Sequence, residues 1–294
     1  MNNYVILSDS CCDLNKQLRE EFNIDYVPMH YVYGGKDYYA DLDWTEISVK
    51  EFYGAIRNGE RITTAQVNSV QFEQAFTRYA KMGKDVLYIS CSSALSASIR
   101  ASEVARDKVL AIYPNVKISC VDSLNSCAGL GFMCITASQM RSEGKTLDEV
   151  VSWLEENKLN VHQECTVESL IYLKNAGRVS ITSAFFGGLL NIKPIIISNA
   201  IGQNVSVEKC KGKKAVIERI AQRVKEQYVS SPIQKVFFAH ADSESDLELL
   251  KNAVMPYIDE NVPVYTGYVG PIVGASAGPG TIAVYFYGTT VTEK

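Results

Sequence analysis

Apolar and polar positions follow one another in a repeating order along the first half of this chain. Val86, Leu87, Tyr88 and Ile89 make a short apolar run, hydroxyl-bearing Ser90, Ser92 and Ser93 follow, and a helical spacing then begins whose first turn carries Ser96 and Ser98. The start of the chain has the same texture: Tyr4 to Leu7, then Ser8, Asp9, Ser10 and Asp13, then Leu14, Leu18 and Phe22 at helical spacing. Strand, polar turn and helix in succession predict an open parallel sheet, and its ligands bind in the crevice at the carboxyl ends of the strands. Two such turns in one sheet point at one crevice, so Asp9 and Ser10 become candidates for its floor. Helix capping is the plain alternative for Asp9, and for Ser92 or Ser93; a metal-ligand role is the third reading of Asp9.

Between these units the segment from Tyr26 to Asp43 alternates, is rich in Tyr, and has Gly34 and Gly35 at a turn, which predicts a small two-stranded flap. An amphipathic helix closed by Gly59 comes next, then a loop with Thr63, Thr64 and Gln66 ahead of a helix bearing Phe72, Phe76 and Tyr79. A strand over 116–123, a long apolar helix over about 126–141, and a capping box from Thr146 to Glu149 opening another helix complete this half. Beyond Leu159 the order changes to strands in hairpins mixed with helices. The expected fold class is therefore α/β with two domains: a doubly wound parallel-sheet domain over 1–160 and an α+β domain with a mixed sheet over 161–294.

In the second half, the stretch over 170–180 predicts a short helix ending at Gly177, and 183–192 a further apolar helix around Gly187 and Gly188. Near the end, the stretch from Gly270 to Ile282 is dense in Gly and Pro with Ser276 in its middle. It reads as a tightly bent loop whose backbone N–H groups could face a ligand, or as an ordinary connection.

Composition narrows the partners. Hydrophobic residues make up 47% and charged residues 21%, the net charge is −4, and 294 residues can bury a sizeable core. That balance argues against a nucleic-acid partner, whose phosphates call for a basic face. No apolar run is long enough to span a bilayer and the start lacks the pattern of a secretion signal, so a cytoplasmic location is expected. The eight cysteines are read as reduced, Cys11 and Cys12 standing side by side; none forms a C-x-x-C pair, and His30, His162 and His240 lie far apart, which leaves no metal-site spacing. Phosphate-loop, dinucleotide and serine-hydrolase motifs are missing as well.

Taken together, V-I-L-S-D-S-C-C-D-L near the start, T-T-A-Q at 63–66, I-S-C-S-S-A-L-S-A-S at 89–98, V-D-S at 121–123, L-K-N-A-G-R-V-S at 173–180 and G-P-G at 278–280 give the chain a resemblance to the DegV family of bacterial fatty-acid-binding proteins, which includes the binding subunit of fatty acid kinase. The resemblance implies a carrier without catalytic residues or cofactor that buries a long acyl chain between two domains. Carried over by motif, it makes Thr64 and Ser96 the contacts of the fatty-acid carboxylate, with Thr63, Ser93, Ala97, Ser276 and Gly278 beside them. It also makes Arg178 a residue of the entrance or of a partner face, whose plain alternative is a surface ion pair. Phe185, Phe186, Leu189 and Leu190 are candidates for the tunnel wall or plain core. The chain departs from the family in Ala65-Gln66-Val67, in Ala97-Ser98, and in Ser276-Ala277, where the family usually has His-Thr. That His serves the kinase-linked members, so the departure bears on a kinase partner and not on carboxylate binding. An α/β enzyme acting on a small phosphorylated or carboxylated substrate, with Ser96 and Asp9 in its site, is the competing reading, and it requires a general base beside the hydroxyls.

Overall fold

The computed structural model describes residues 4–179 and 191–293. A parallel sheet of order β2-β1-β6-β7 is built from β1 (Tyr4–Asp9), β2 (Ile24–Val27), β6 (Asp85–Ser90) and β7 (Ile118–Asp122). Its central strands read as unbroken apolar runs because helices cover both faces; Ile6, Leu7 and Val86 to Ile89 are all buried. The helices of this half are α1 (Lys16–Glu21), α2 (Val49–Arg57), α3 (Ser69–Ala80), α4 (Ser98–Ile112), α5 (Cys127–Ser142) and α6 (Leu147–Asn157). The capping box at Thr146 and Glu149 opens α6 as expected, and a second box, Asn68 with Gln71, opens α3.

The second half forms a mixed sheet of order β10-β9-β8-β13-β11-β12, from β8 (Val161–Thr166), β9 (Ile192–Ser198), β10 (Asn204–Lys211), β11 (Val236–His240), β12 (Val264–Tyr268) and β13 (Ile282–Tyr287). Only β11 and β12 pair in parallel within it. One face carries α8 (Lys213–Gln227) and α9 (Glu244–Val254) over a core of Ile220, Val224, Phe238, Leu250 and Phe286. The other face meets α5, which touches β1 and β6 of the parallel sheet as well as β8, β11 and β13. A helix buried on every side must be apolar on every side, and Cys127 to Ser138 are buried without exception. Gly131 is what permits the approach: a Cβ there would lie 2.7 Å from the Cys12 carbonyl oxygen.

Three expectations are corrected. The flap is three-stranded, because Thr63–Ala65 form a strand, β5, paired antiparallel to β3 (His30–Tyr33), which also pairs with β4 (Lys36–Tyr39). Three residues whose partner lies some 30 positions away leave no local signal of pairing. The stretch at 270–282 is not a bent loop: Pro271–Ala277 form a helix, α10, with Pro at its first turn and Gly278 at φ +80° just past its end. Finally, α4 begins at Ser98, so Ser96 precedes the helix. Neither Ser92 nor Ser93 caps it, since Ala97 occupies the cap position and offers no side-chain bond. The apolar helix expected over 183–192, with Phe185, Phe186, Leu189 and Leu190, lies outside the described residues save for its last two positions, and Ile192 begins β9.

Candidate functional site

Local structure around the two polar turns is set by one buried carboxylate. Asp9 accepts from the Tyr88 hydroxyl at 2.8 Å, from the Cys91 amide at 3.0 Å and from the Cys11 amide at 2.9 Å, so it caps the 3-10 turn Ser10–Cys12 and ties it to the turn after β6. Burial raises its pKa, and the bonds from Cys91, Tyr88 and Cys11 offset part of that rise. Asp9 therefore supports the crevice from beneath and is not on its surface, which corrects its assignment to the floor. Ser10 has a similar role: its hydroxyl donates to Ala40 O at 3.0 Å and accepts from Met29 N at 2.9 Å, anchoring the flap.

Above these turns lies a cavity of about 380 Å³, within the range of small-molecule sites. Both halves of the chain contribute to it. The first half of the chain supplies Thr64 on β5 and Ser96 on the turn after β6; the second half supplies Gln163 and Cys165 on β8 and Ser276 on α10. Gln66 joins the flap to the serine turn by accepting from Ala97 N at 3.2 Å, which brings the strand carrying Thr64 against the turn carrying Ser96. The Ser96 hydroxyl lies 3.0 Å from that of Ser98, while those of Thr64 and Ser276 make no hydrogen bond among the described residues.

Arg178 also lines the cavity. It follows α7 (Leu170–Ala176), is exposed, and donates to Leu95 O at 3.1 Å and to Ala176 O, which clasps α7 to the serine turn. The surface ion pair offered as its plain alternative does not occur among the described residues. The remaining residues carried over by motif stand elsewhere. Thr63 and Ala97 are exposed beside the lining, and Ser93 is exposed with its amide on Asp122 Oδ1 at 3.2 Å. Gly278 is buried beneath Tyr172, where a Cβ would meet the ring at 2.2 Å.

The ionisable groups of the lining, among the described residues, are Arg178, three thiols and one phenol. The bond to Cys91 and burial both raise Cys11. The bond from Cys11 favours the Cys91 thiolate, yet burial and Asp9 outweigh it and Cys91 is raised too. Burial pushes Cys165 up to about 12 and raises Tyr285 well above the ordinary phenol value. All four are neutral at pH 7, which leaves the Arg178 guanidinium as the lining's charge. No group of three or more metal-ligating side chains occurs among the described residues, and no described helix is long and apolar enough to cross a membrane.

Sequence reasoning missed the far wall, including Ser126, Gln163, Asn204 and Tyr285, and the thiols Cys11, Cys91 and Cys165. The period-2 spacing of Gln163 and Cys165 was the available signal for one face of β8.

This geometry has close counterparts. A protein-family model described as uncharacterised proteins of the DegV family matches residues 3–289. A DegV domain-containing protein of Clostridium perfringens is 37% identical over 293 residues, 99% of each chain. Among solved structures, a Thermotoga maritima protein described as revealing a fatty-acid-binding function superposes with a TM-score of 0.84 at 25% identity, covering 98% of this chain and 100% of its own. A Thermus thermophilus DegV family protein described as binding fatty acid superposes with a TM-score of 0.85 at 25% identity, over 97% and 99% of the two chains. By its sequence over nearly its whole length, as by its fold, this chain belongs to the DegV family.

Proposed function

We propose that this protein binds a long-chain fatty acid in the cavity, its carboxylate held by the hydroxyls of Thr64 and Ser96, and that it acts as a carrier and not as an enzyme. The observation that carries this reading is the make-up of the lining. The lining offers an anion the Thr64 hydroxyl, which has no partner among the described residues, the Ser96 hydroxyl, paired only with Ser98, and the Arg178 guanidinium; elsewhere Met29, Val167, Leu173, Ile196 and Ile272 offer apolar surface. Hydroxyl and guanidinium donors make charge-assisted bonds to a carboxylate, and each buried methylene adds roughly 0.8 kcal/mol. Thermotoga and Thermus relatives described as fatty-acid-binding support the ligand class. Against an enzyme stands the lack of a carboxylate, histidine or lysine in the described lining, so the hydroxyls have no general base.

The division of the chain near residue 160 belongs to this reading, with the acyl tail between the two units. So do the absence of a cofactor and a cytoplasmic location. A fatty acid kinase subunit as partner belongs to it as well, with Ser276 in place of the usual His and Arg178 exposed at the mouth.

Denaturing mass spectrometry of protein purified from cells is expected to release a long-chain fatty acid; protein free of any acyl species refutes the reading. Thr64→Val combined with Ser96→Ala is expected to weaken fatty-acid retention more than tenfold with the fold intact, checked by circular dichroism. Undiminished retention in that variant removes the carboxylate assignment.

A further inference from the structure

The wall formed by the six-stranded sheet is less apolar than a plain acyl tail calls for. Gln163 and Tyr285 stand directly opposite each other in the β8/β13 pair, both line the cavity, and they are only 6% and 3% exposed. Ser126, 5% exposed, borders the same patch from the start of α5, whose Gly129 packs so closely that a Cβ there would lie 3.1 Å from the Tyr285 ring.

Their hydrogen bonding is incomplete. Gln163 Nε2 donates to Asn204 Oδ1 at 3.0 Å, while Gln163 Oε1 has no partner among the described residues. Ser126 holds the cap position of α5 without making a capping bond, and its hydroxyl makes no other hydrogen bond among the described residues. The Tyr285 hydroxyl has the Cys127 thiol beside it, a weak partner. Leu, Ala and Phe would fill these positions without polar atoms to desolvate, and a saturated chain laid across the patch would bury the Gln163 acceptor and the Ser126 hydroxyl without partners among the described residues, and leave Tyr285 with only a thiol.

A hydroxyl on the chain meets this need, because it donates to one group and accepts from another. We propose that the ligand is a hydroxy fatty acid whose mid-chain hydroxyl donates to Gln163 Oε1 and accepts from Ser126. This inference rests on the fatty-acid reading above and assigns the patch a role in selecting among fatty acids. A site built to hydrogen-bond a ligand hydroxyl discriminates strongly against the analogue that lacks it, since its own buried groups are then left unpaired.

The test titrates delipidated protein with stearic acid and with a series of hydroxystearic acids of the same length, the hydroxyl moved along the chain. One regioisomer is expected to bind at least tenfold tighter than stearic acid. In Ser126→Ala and in Gln163→Leu that ratio is expected to fall below threefold, each variant being checked by its thermal melt. A series in which no regioisomer outbinds stearic acid in the unmodified protein overturns the inference while leaving fatty-acid binding in place. If neither stearic acid nor any hydroxystearic acid binds, the fatty-acid reading fails and the inference fails with it.

Discussion

Replacing Asp13 with Asn is expected to stabilise the protein at pH 8 by on the order of 4 kcal/mol, and by progressively less as the pH falls towards 4. Asp13 follows the turn that contributes Cys11 to the cavity, and it faces Gly270 at the start of α10, the helix that contributes Ser276. A Cβ on Gly270 would lie 2.2 Å from Asp13 Oδ1, so the carboxyl rests against bare backbone. Both oxygens are buried and, among the described residues, neither completes a hydrogen bond of good geometry, although the Cys127 thiol and the Gly270 amide lie beside them.

Burial pushes this carboxyl from the usual 3.8 up to about 7. The folded state therefore holds a proton that the unfolded state has lost, and stability falls as the pH rises from about 4 to about 7. Asn keeps the shape, does not titrate, and tolerates the positive φ of 49° found here. Chemical denaturation of both proteins at pH 5, 6, 7 and 8 measures the gap. A gap that stays flat or shrinks with rising pH would show that the carboxyl is not held protonated.

Lys235→Met has the second large expected effect, and it runs the other way with pH. Lys235 is 1% exposed; its ammonium donates to Thr136 Oγ1 and Ile233 O, both at 2.8 Å, and sits 4.1 Å from the centroid of the Phe132 ring. No carboxylate pairs with it among the described residues, and burial lowers its pKa from 10.5 to about 7. Between those values the unfolded chain binds a proton that the folded chain does not, so this lysine's contribution becomes less unfavourable as the pH rises from 7 to 10.5.

Below pH 7 its full cost is present, on the order of 5 kcal/mol, and Met, of similar length and apolar, removes it. The gain is expected to be largest at pH 6 and to shrink steadily up to pH 10. Buried thiols and phenols titrate in the same range with the opposite sign, so the difference between variant and parent is the quantity to follow. A gain independent of pH would contradict an unpaired buried ammonium.

How much of the site was legible beforehand can be seen residue by residue. Thr64 and Ser96 both reach the cavity, one from a strand read as a loop and the other from a turn read as the first turn of a helix. The residue types survived these misreadings because either backbone leaves a hydroxyl near the carboxyl ends of the parallel strands. Asp9 shows the converse. A carboxylate in a polar turn looks the same in sequence whether it faces solvent, a ligand or three buried donors.

The sequence by itself determined the parallel sheet, whose apolar runs and polar turns are local features, along with the capped α6 and the largely apolar α5. It also determined the family, through short motifs in a specific order. Only the tertiary structure decided that β5 joins the flap, that the stretch after Gly270 coils into α10, and that Gln163, Ser126 and Tyr285 share one wall. Strand pairing and cavity walls arise between residues tens to hundreds of positions apart. Their energies depend on neighbours that periodicity and propensity do not encode.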